Sequence, residues 1–390
     1  MAGLERVEQP VMVASIQTLV RRELPPAKII LIDECHHARA GTYQRVLDAY
    51  PDAIVVGLTA TPWRLDGHGL GEIFDSLVVA ATPAELRTQG YLCQTAGYAY
   101  VPPDFGDVAT KAGDYDAAGL SLAYARSKVL GDIVDRWFAH CGPAVAPPRG
   151  RRTIVFASSI PNSMRLIEGF RARGVQAEHL DYKVPALERR SILDRVRTGA
   201  TTVISNVGIL GEGIDVPELE CAILARPTKS LAVYLQQVGR VLRPAAGKSR
   251  ALIHDHAGMH DEHGFWDDDR SYDLTADRPR AAGAASCRTC PECLWCGTAG
   301  TTICPECGYA WEIIKAPESD ACVEVSLEEL RAIQDTPSAR RAYLTKLEHE
   351  CISRRRKPGW IVHAYLKRYP KAPRPWGSFR RVKAALERMQ

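Results

Sequence analysis

Asp33 and Glu34 stand side by side behind four apolar residues, Ile29 to Ile32, and ahead of Cys35, His36 and His37. An apolar run of this kind reads as a buried parallel strand, and open α/β sheets bind ligands beyond the carboxyl ends of such strands. Two adjacent carboxylates at that rim suit phosphoryl transfer to water: the first holds Mg2+ through water, and the second orients or deprotonates the attacking water. A second set of donors lies far downstream, where six of the 12 cysteines fall between Cys287 and Cys307. Two C-x-x-C pairs about ten residues apart make a zinc ribbon, each pair giving two thiolates to a tetrahedral Zn2+. Cys304 and Cys307, with Gly308 behind them, form one pair. Cys290 and Cys293 repeat its CPEC spelling and are favoured as the other, with Cys296 (ahead of Gly297) and Cys287 as alternates. Four thiolates leave no open position, so such an ion would be structural.

Other donors are set aside. His254, His256, His260 and His263, mixed with Asp255 and Asp261, show no recurring ligand spacing and read as polar residues where a strand exits to a loop. Cys35 reads as a small packed residue, and the acidic WDDDRSYD (266–273) as a solvated loop.

The elements that must position these groups come in two series. VMVAS (11–15), IILID (29–33) and AIVVGLTA (53–60) alternate with amphipathic stretches, a βαβ rhythm that implies a parallel sheet. After a Pro/Gly-rich joint, a second series runs through RTIVFAS (152–158), TTVISN (201–206), CAILAR (221–226) and RALIHDH (250–256). The expected organisation is a partial first lobe over 1–94, a connector over 95–150, a second lobe over 151–258, an acidic linker over 259–284, the zinc ribbon over 285–312 and a basic helical tail over 313–390.

With 390 residues, 46% hydrophobic and 25% charged, the chain has an ordinary globular composition. No apolar run approaches the roughly 18 residues that span a bilayer, which argues against a membrane partner and for a cytoplasmic protein. Clustered cysteines point to metal in a reducing compartment rather than to disulfides. The net charge is +4, yet residues 338–390 hold 15 Lys and Arg against 3 Asp and Glu, a local +12 that leaves the remainder at −8. That tail interleaves Trp360, Tyr365, Tyr369, Trp376 and Phe379 with its basic residues, and Arg354, Arg355 and Arg356 are its candidate phosphate contacts.

Taken in order, these stretches resemble the superfamily 2 helicases of the DEAD/DEAH-box group, close to type III restriction-enzyme helicase subunits and short phage helicases. VASIQTLVRR is similar to motif Ib, DECH (33–36) to motif II, GLTATPWRLDG (57–67) to motif III, TIVFASS to motif IV, GEGIDVP (211–217) to motif V and QQVGRVLRP (236–244) to motif VI. The resemblance implies an α/β fold of two RecA-like lobes, the first incomplete, with ATP and Mg2+ between them and nucleic acid across the top, DNA favoured over RNA. It implies that Asp33 holds Mg2+ and Glu34 activates water, and that His36, Thr59 and Thr61 relay between the two sites. Gly213 and Asp215 would reach the nucleotide and Gln236 would help close the cleft. Arg240 and Arg243 would be arginine fingers, whose fork of donors suits a transferring phosphoryl group. Ser15, Gln17 and Thr18 from the first lobe, with Ser158, Ser205 and Asn206 from the second, would touch the phosphate backbone.

One part of the family's pattern is missing from residues 1–390. ATP binding uses a G-x-x-x-x-G-K-[ST] loop whose backbone N–H groups cradle the phosphates. None precedes Asp33, and AAGKS (245–249) has Leu242 where the first Gly belongs. The expectation is a helicase core that lacks half of its nucleotide site, with bare apolar edges on IILID and AIVVGL, and either a longer gene or a partner chain to supply the loop. A non-catalytic nucleic-acid-binding protein is the alternative.

Overall fold

The computed structural model describes residues 11–38, 41–62, 69–111, 113–208, 215–268, 270, 272–274, 287–311, 337–353, 356–369 and 376–387. The chain forms two compact units, Met1–Glu312 and Ile313–Gln390. Gly213, Arg354, Arg355 and the end of the motif III stretch lie outside the described residues.

Two sheets build the first unit. The smaller pairs β1 (Ile29–Asp33) with β2 (Ile54–Leu58) in parallel, Ile29 beside Ile54 and Asp33 beside Leu58. Alternation along the strands gives the pair two faces. Ile30, Ile32 and Val55 pack on Ala38, Leu70 and Phe74, while Ile29 (60% exposed), Leu31 (67%) and Ile54 (64%) face outward.

The larger sheet has eight strands. Six are mutually parallel, in spatial order β3 (Gln94–Ala99), β10 (Arg250–Asp255), β9 (Cys221–Ala225), β6 (Thr153–Ala157), β8 (Val203–Val207) and β7 (Ala177–Asp181). Strands β6 and β9 are buried along their whole length, which is why TIVFA and CAILA are unbroken apolar runs. Helices α5 (Val129–His140) and α6 (Ile160–Ala172) cover one face through Ile133, Trp137, Leu166 and Phe170. On the other face, α7 (Ala186–Arg197) and α8 (Leu231–Leu242) pack through Ile192, Val196, Tyr234 and Val238. Ser159 and Ser230 cap α6 and α8, each accepting from a backbone N–H three residues on.

Three sequence expectations need correction. Residues 94–99, straddling the first lobe and its connector, are a strand of the large sheet. QTAGYA has no apolar run because small residues and tyrosines do the packing: Ala96 and Tyr98 face α5, and Gly97 leaves room for Trp266, whose ring would sit 2.7 Å from a Cβ there. The start of the acidic stretch is not a solvated loop: Phe265 and Trp266 are core, and Arg270 is buried, donating to the carbonyls of His263, Phe265 and Asp268. Strands β11 (Cys287–Thr289) and β12 (Trp295–Thr298), expected within a separate zinc-ribbon segment over 285–312, extend the large sheet, β12 running antiparallel to β3.

The second unit contains α10 (Pro337–Ser353), α11 (Gly359–Arg368) and α12 (Trp376–Glu387), packed around Leu347, Cys351, Ile361, Tyr365, Tyr369 and Val382. Tyr365 and Tyr369 therefore serve as core, not as surfaces for stacking bases. No helix among the described residues is long and apolar enough to cross a membrane.

Candidate nucleotide and metal sites

At the end of β1 the backbone turns sharply, with Glu34 in the left-handed region at φ 50°, a conformation unfavourable for a residue with a Cβ. The turn sets the Asp33 carboxylate outward, where its Oδ1 accepts from the Glu34 N–H at 3.0 Å. Glu34 Oε2 lies 3.3 Å from His36 Nδ1, and the same nitrogen lies 3.1 Å from Thr59 Oγ1. Thr59 donates its one hydroxyl proton to the Thr61 carbonyl at 3.1 Å, so the proton between His36 and Thr59 belongs to His36 Nδ1. Glu34 is thus joined to the TAT stretch through one imidazole. Gly57 makes this approach possible: a Cβ there would lie 2.5 Å from Phe74 and 2.7 Å from Cys35 Sγ. Burial pushes the Cys35 thiol up to about 11, so it packs as a neutral thiol.

Burial, with His37 beside it, pulls the His36 pKa down to about 4, so its ring is neutral at pH 7. A folded pKa below the unfolded 6.5 means that the folded state binds fewer protons between those values. This contribution to stability is present above pH 6.5 and is lost as pH falls toward 4. The stability difference between the parent chain and His36→Gln is expected to fall by on the order of 2 kcal/mol from pH 7 to pH 5, read by urea unfolding. A difference that does not change with pH would show that burial does not hold the ring neutral.

In the larger sheet, Arg240 and Gln236 are half-buried on α8. Burial and Arg243 lower the Arg240 pKa, while Glu34 and Asp215 raise it, so its guanidinium lies in the field of the β1 carboxylate. Arg243 is more exposed and forms an ion pair with Asp215. Sequence reasoning dismissed AAGKS as a phosphate loop, and its lysine does something else. Lys248 Nζ donates to the carbonyls of Pro217 (3.0 Å), Val241 (2.7 Å) and Arg243 (2.7 Å), tying the segment after Asp215 to the end of α8.

The candidate backbone-binding residues divide into two groups. Ser15, Gln17 and Thr18 are exposed at a short helix, α1 (Ile16–Leu19), that Ser15 caps. Ser158, Ser205 and Asn206 are buried: Ser158 accepts from Asn162 at 2.9 Å and Ser205 meets Ser163 at 2.7 Å, so these two hold α6 on the sheet. In the second unit, Arg356 lies 3.4 Å from Glu350 and 4.4 Å over the Trp360 ring.

Four thiols converge beside the large sheet. Cys290 and Cys307 Sγ lie 3.6 Å apart, as do Cys293 and Cys304, and all four sulfurs fall within 4.8 Å of one another. Thiolates at about 2.3 Å from one tetrahedral ion are separated by roughly 3.8 Å, so the donor set fits Zn2+. The fold assembles it by repetition: after each C-P-E-C the chain turns through the left-handed region, at Gly308 (φ 76°) and at Leu294 (φ 64°). Cys296 and Cys287 lie elsewhere, on β12 and β11, with Cys296 in the core. Glu306, inside the second knuckle, was not singled out from sequence. It takes two bonds from Arg250 (2.5 and 2.9 Å) and one from the Tyr98 hydroxyl (3.2 Å), anchoring the knuckle to β10 and β3. Its only signal is the doubled CPEC.

Residues 3–64 match the family described as type III restriction enzyme, res subunit, and residues 143–245 match the helicase conserved C-terminal domain. The two matches cover the stretches that carry Glu34 and Arg240, in the order that the motifs require. The chain belongs to superfamily 2 of the helicases. Among its relatives, a 51.5 kDa protein of a Lactococcus phage is 30% identical over 291 residues, 73% of this chain and 62% of the phage protein. An ATP-dependent helicase named IRC3 in Saccharomyces cerevisiae is 29% identical over 262 residues, 64% of this chain and 37% of that protein. The chain therefore spans less than two thirds of the length of each of these relatives. A fragment of a type I restriction-enzyme HsdR subunit from Vibrio vulnificus aligns with a TM-score of 0.48 and 20% identity, covering 61% of this chain and 46% of that one.

Proposed function

We propose that residues 1–390 form the part of a nucleic-acid-dependent ATPase motor that senses and fires on the nucleotide, and that the phosphate loop joins it from elsewhere, on a longer form of the protein or on a partner chain. The carrying observation is that Asp33 and Glu34 stand exposed at the end of β1, with Glu34 joined through His36 to Thr59, while Arg240 on α8 lies within the field of Glu34. In this reading Asp33 holds Mg2+, Glu34 activates water, and His36 passes the state of the site to Thr59 and Thr61. Gly213 and Asp215 reach the nucleotide, Gln236 helps close the cleft, and Arg243 exchanges Asp215 for the phosphates when ATP arrives. The strand before the loop would pair with a free edge of the β1–β2 sheet, and the helix after it would cover the open apolar face of Ile29, Leu31 and Ile54.

Cys290, Cys293, Cys304 and Cys307 hold one structural Zn2+, kept reduced in a cytoplasmic setting. The substrate strand is DNA in preference to RNA, gripped by Ser15, Gln17 and Thr18 and by the +12 tail through Arg354, Arg355 and Arg356. With two tail tyrosines in the core, the tail's grip is mainly electrostatic. If about five phosphates of a single strand are contacted, log affinity against log salt should have a slope near −3.5, from about −0.7 per contact. Replacing Arg354, Arg355 and Arg356 by Ala is expected to flatten the slope by about two units in a fluorescence anisotropy titration over a salt series. Binding that keeps its slope after removal of residues 338–390 would refute the tail as the grip, and equal affinity for RNA would refute the preference for DNA.

A further inference from the structure

A second set of soft donors lies inside the large-sheet domain, apart from the four knuckle thiols. Cys141 follows α5, Cys221 opens β9 and His254 sits on β10. All three are fully buried, and one donor atom of each lies within 4.8 Å of the other two. Among the described residues only this group and the four knuckle cysteines bring three or more potential metal ligands of the Cys, His, Asp and Glu types so close. Cys221 and His254 reach the same face of the sheet by register: Cys221 pairs with Leu252, two residues before His254 on the same strand. Cys141 arrives from the helix layer above. Its Sγ stands 3.9 Å from His254 Nε2, against roughly 3.5 Å for a thiolate and an imidazole sharing a tetrahedral zinc, so the donors need close by only a few tenths of an ångström.

Two further observations bear on what this cluster does. His254 Nδ1 lies 3.4 Å from the Tyr100 hydroxyl, which can accept its proton; in that tautomer Nε2, the nitrogen facing Cys141, carries a lone pair. Imidazoles that bind metal are held in this way by a partner on the far nitrogen. On the same strand face, His256 is buried and stacked on Tyr100 (4.1 Å), with neither ring nitrogen bonded. Buried polar groups lacking partners are uncommon and call for an explanation. Buried cysteines alone would read as small apolar packing, but packing does not require two thiols and an imidazole nitrogen to meet in one place.

We propose that Cys141, Cys221 and His254 form a second metal site, distinct from the knuckles, that takes a zinc-class divalent ion. Charge selects the class: two thiolates and a neutral imidazole around a 2+ ion make a neutral complex, whereas a monovalent ion would leave a net negative charge in an apolar core, at a large desolvation cost. The site joins the end of α5 to β9 and β10, so its role is to fix the helix layer on the sheet.

The test is a Co2+ titration of the full chain, freed of metal with a chelator under reducing conditions. Two Co2+ per chain are expected. Cys304→Ser with Cys307→Ser should leave one, whose thiolate-to-cobalt absorption is about half that of a four-thiolate site, since two thiolates remain where the knuckles supply four. Adding Cys221→Ala or His254→Gln to that variant should remove the last. One Co2+ in the parent chain and none in the knuckle variant overturns the proposal, as does a Cys141–Cys221 disulfide found by peptide mapping in protein isolated under native conditions. If the added substitutions prevent folding, the parent stoichiometry decides alone: two ions support the site and one refutes it.

Discussion

Given ATP, Mg2+ and single-stranded DNA, residues 1–390 alone are expected to hydrolyse ATP on the order of a thousandfold or more below a helicase that carries its phosphate loop. Phosphoryl transfer asks little covalent work of a protein; most of its catalysis is charge placed in advance around the phosphates, and the loop's backbone N–H groups and lysine are the largest part of that charge. Losing them removes substrate affinity as well. Asp33, Glu34, Arg240 and Arg243 would then surround a substrate that is seldom held. Glu34→Gln, ruinous in an intact motor, should make no further difference. Phosphate release at the rate of an intact helicase, abolished by Glu34→Gln, would refute this and would mean that another segment cradles ATP. Addition of a chain bearing G-x-x-x-x-G-K-[ST] that covers Ile29, Leu31 and Ile54 should raise turnover and restore its sensitivity to Glu34→Gln.

Replacing Cys304 and Cys307 together by Ser is expected to release one metal ion and unfold residues 287–311, because a four-thiolate site contributes on the order of 10 kcal/mol to its module. The damage should spread along the sheet. The knuckle holds Glu306 against Arg250 and Tyr98, and β12 covers the edge of β3, so losing the ribbon leaves a strand edge and two polar partners behind. Elemental analysis and limited proteolysis would read both effects. Cys290→Ser should behave like the double variant, and Cys296→Ser should keep the ion, since Cys296 lies outside the group of four. Unchanged metal content after the double substitution would refute the assignment of the knuckles.

Much of this was legible from residue order because the signals were local. Apolar runs such as TIVFA and CAILA have no alternative to burial on both faces, and a strand ending in Asp33–Glu34 announces its carboxylates without help from tertiary structure. The misses share one cause, the use of residues that are apolar only in context. QTAGYA became a strand because Trp266, some 170 positions away, fills the space over Gly97. Tyr365 and Tyr369 look like stacking surfaces among lysines and arginines, but helix packing turns them inward. Cys141, Cys221 and His254 lie on three elements, and only the register of β9 against β10 and the reach of α5 bring them together. Spacing within a sequence cannot encode a meeting of that kind.

Lys248 has a mechanical implication. Its ammonium bridges three carbonyls, one beyond Asp215 and two at the end of the helix that carries Arg240, and charge-assisted bonds of this kind each resist rupture by about 1.5–3 kcal/mol. Segments joined so firmly at one point do not readily slide past each other. A displacement at the end of α8 is therefore passed through Lys248 to the segment after Asp215, and one side chain makes two stretches that are far apart in sequence move together.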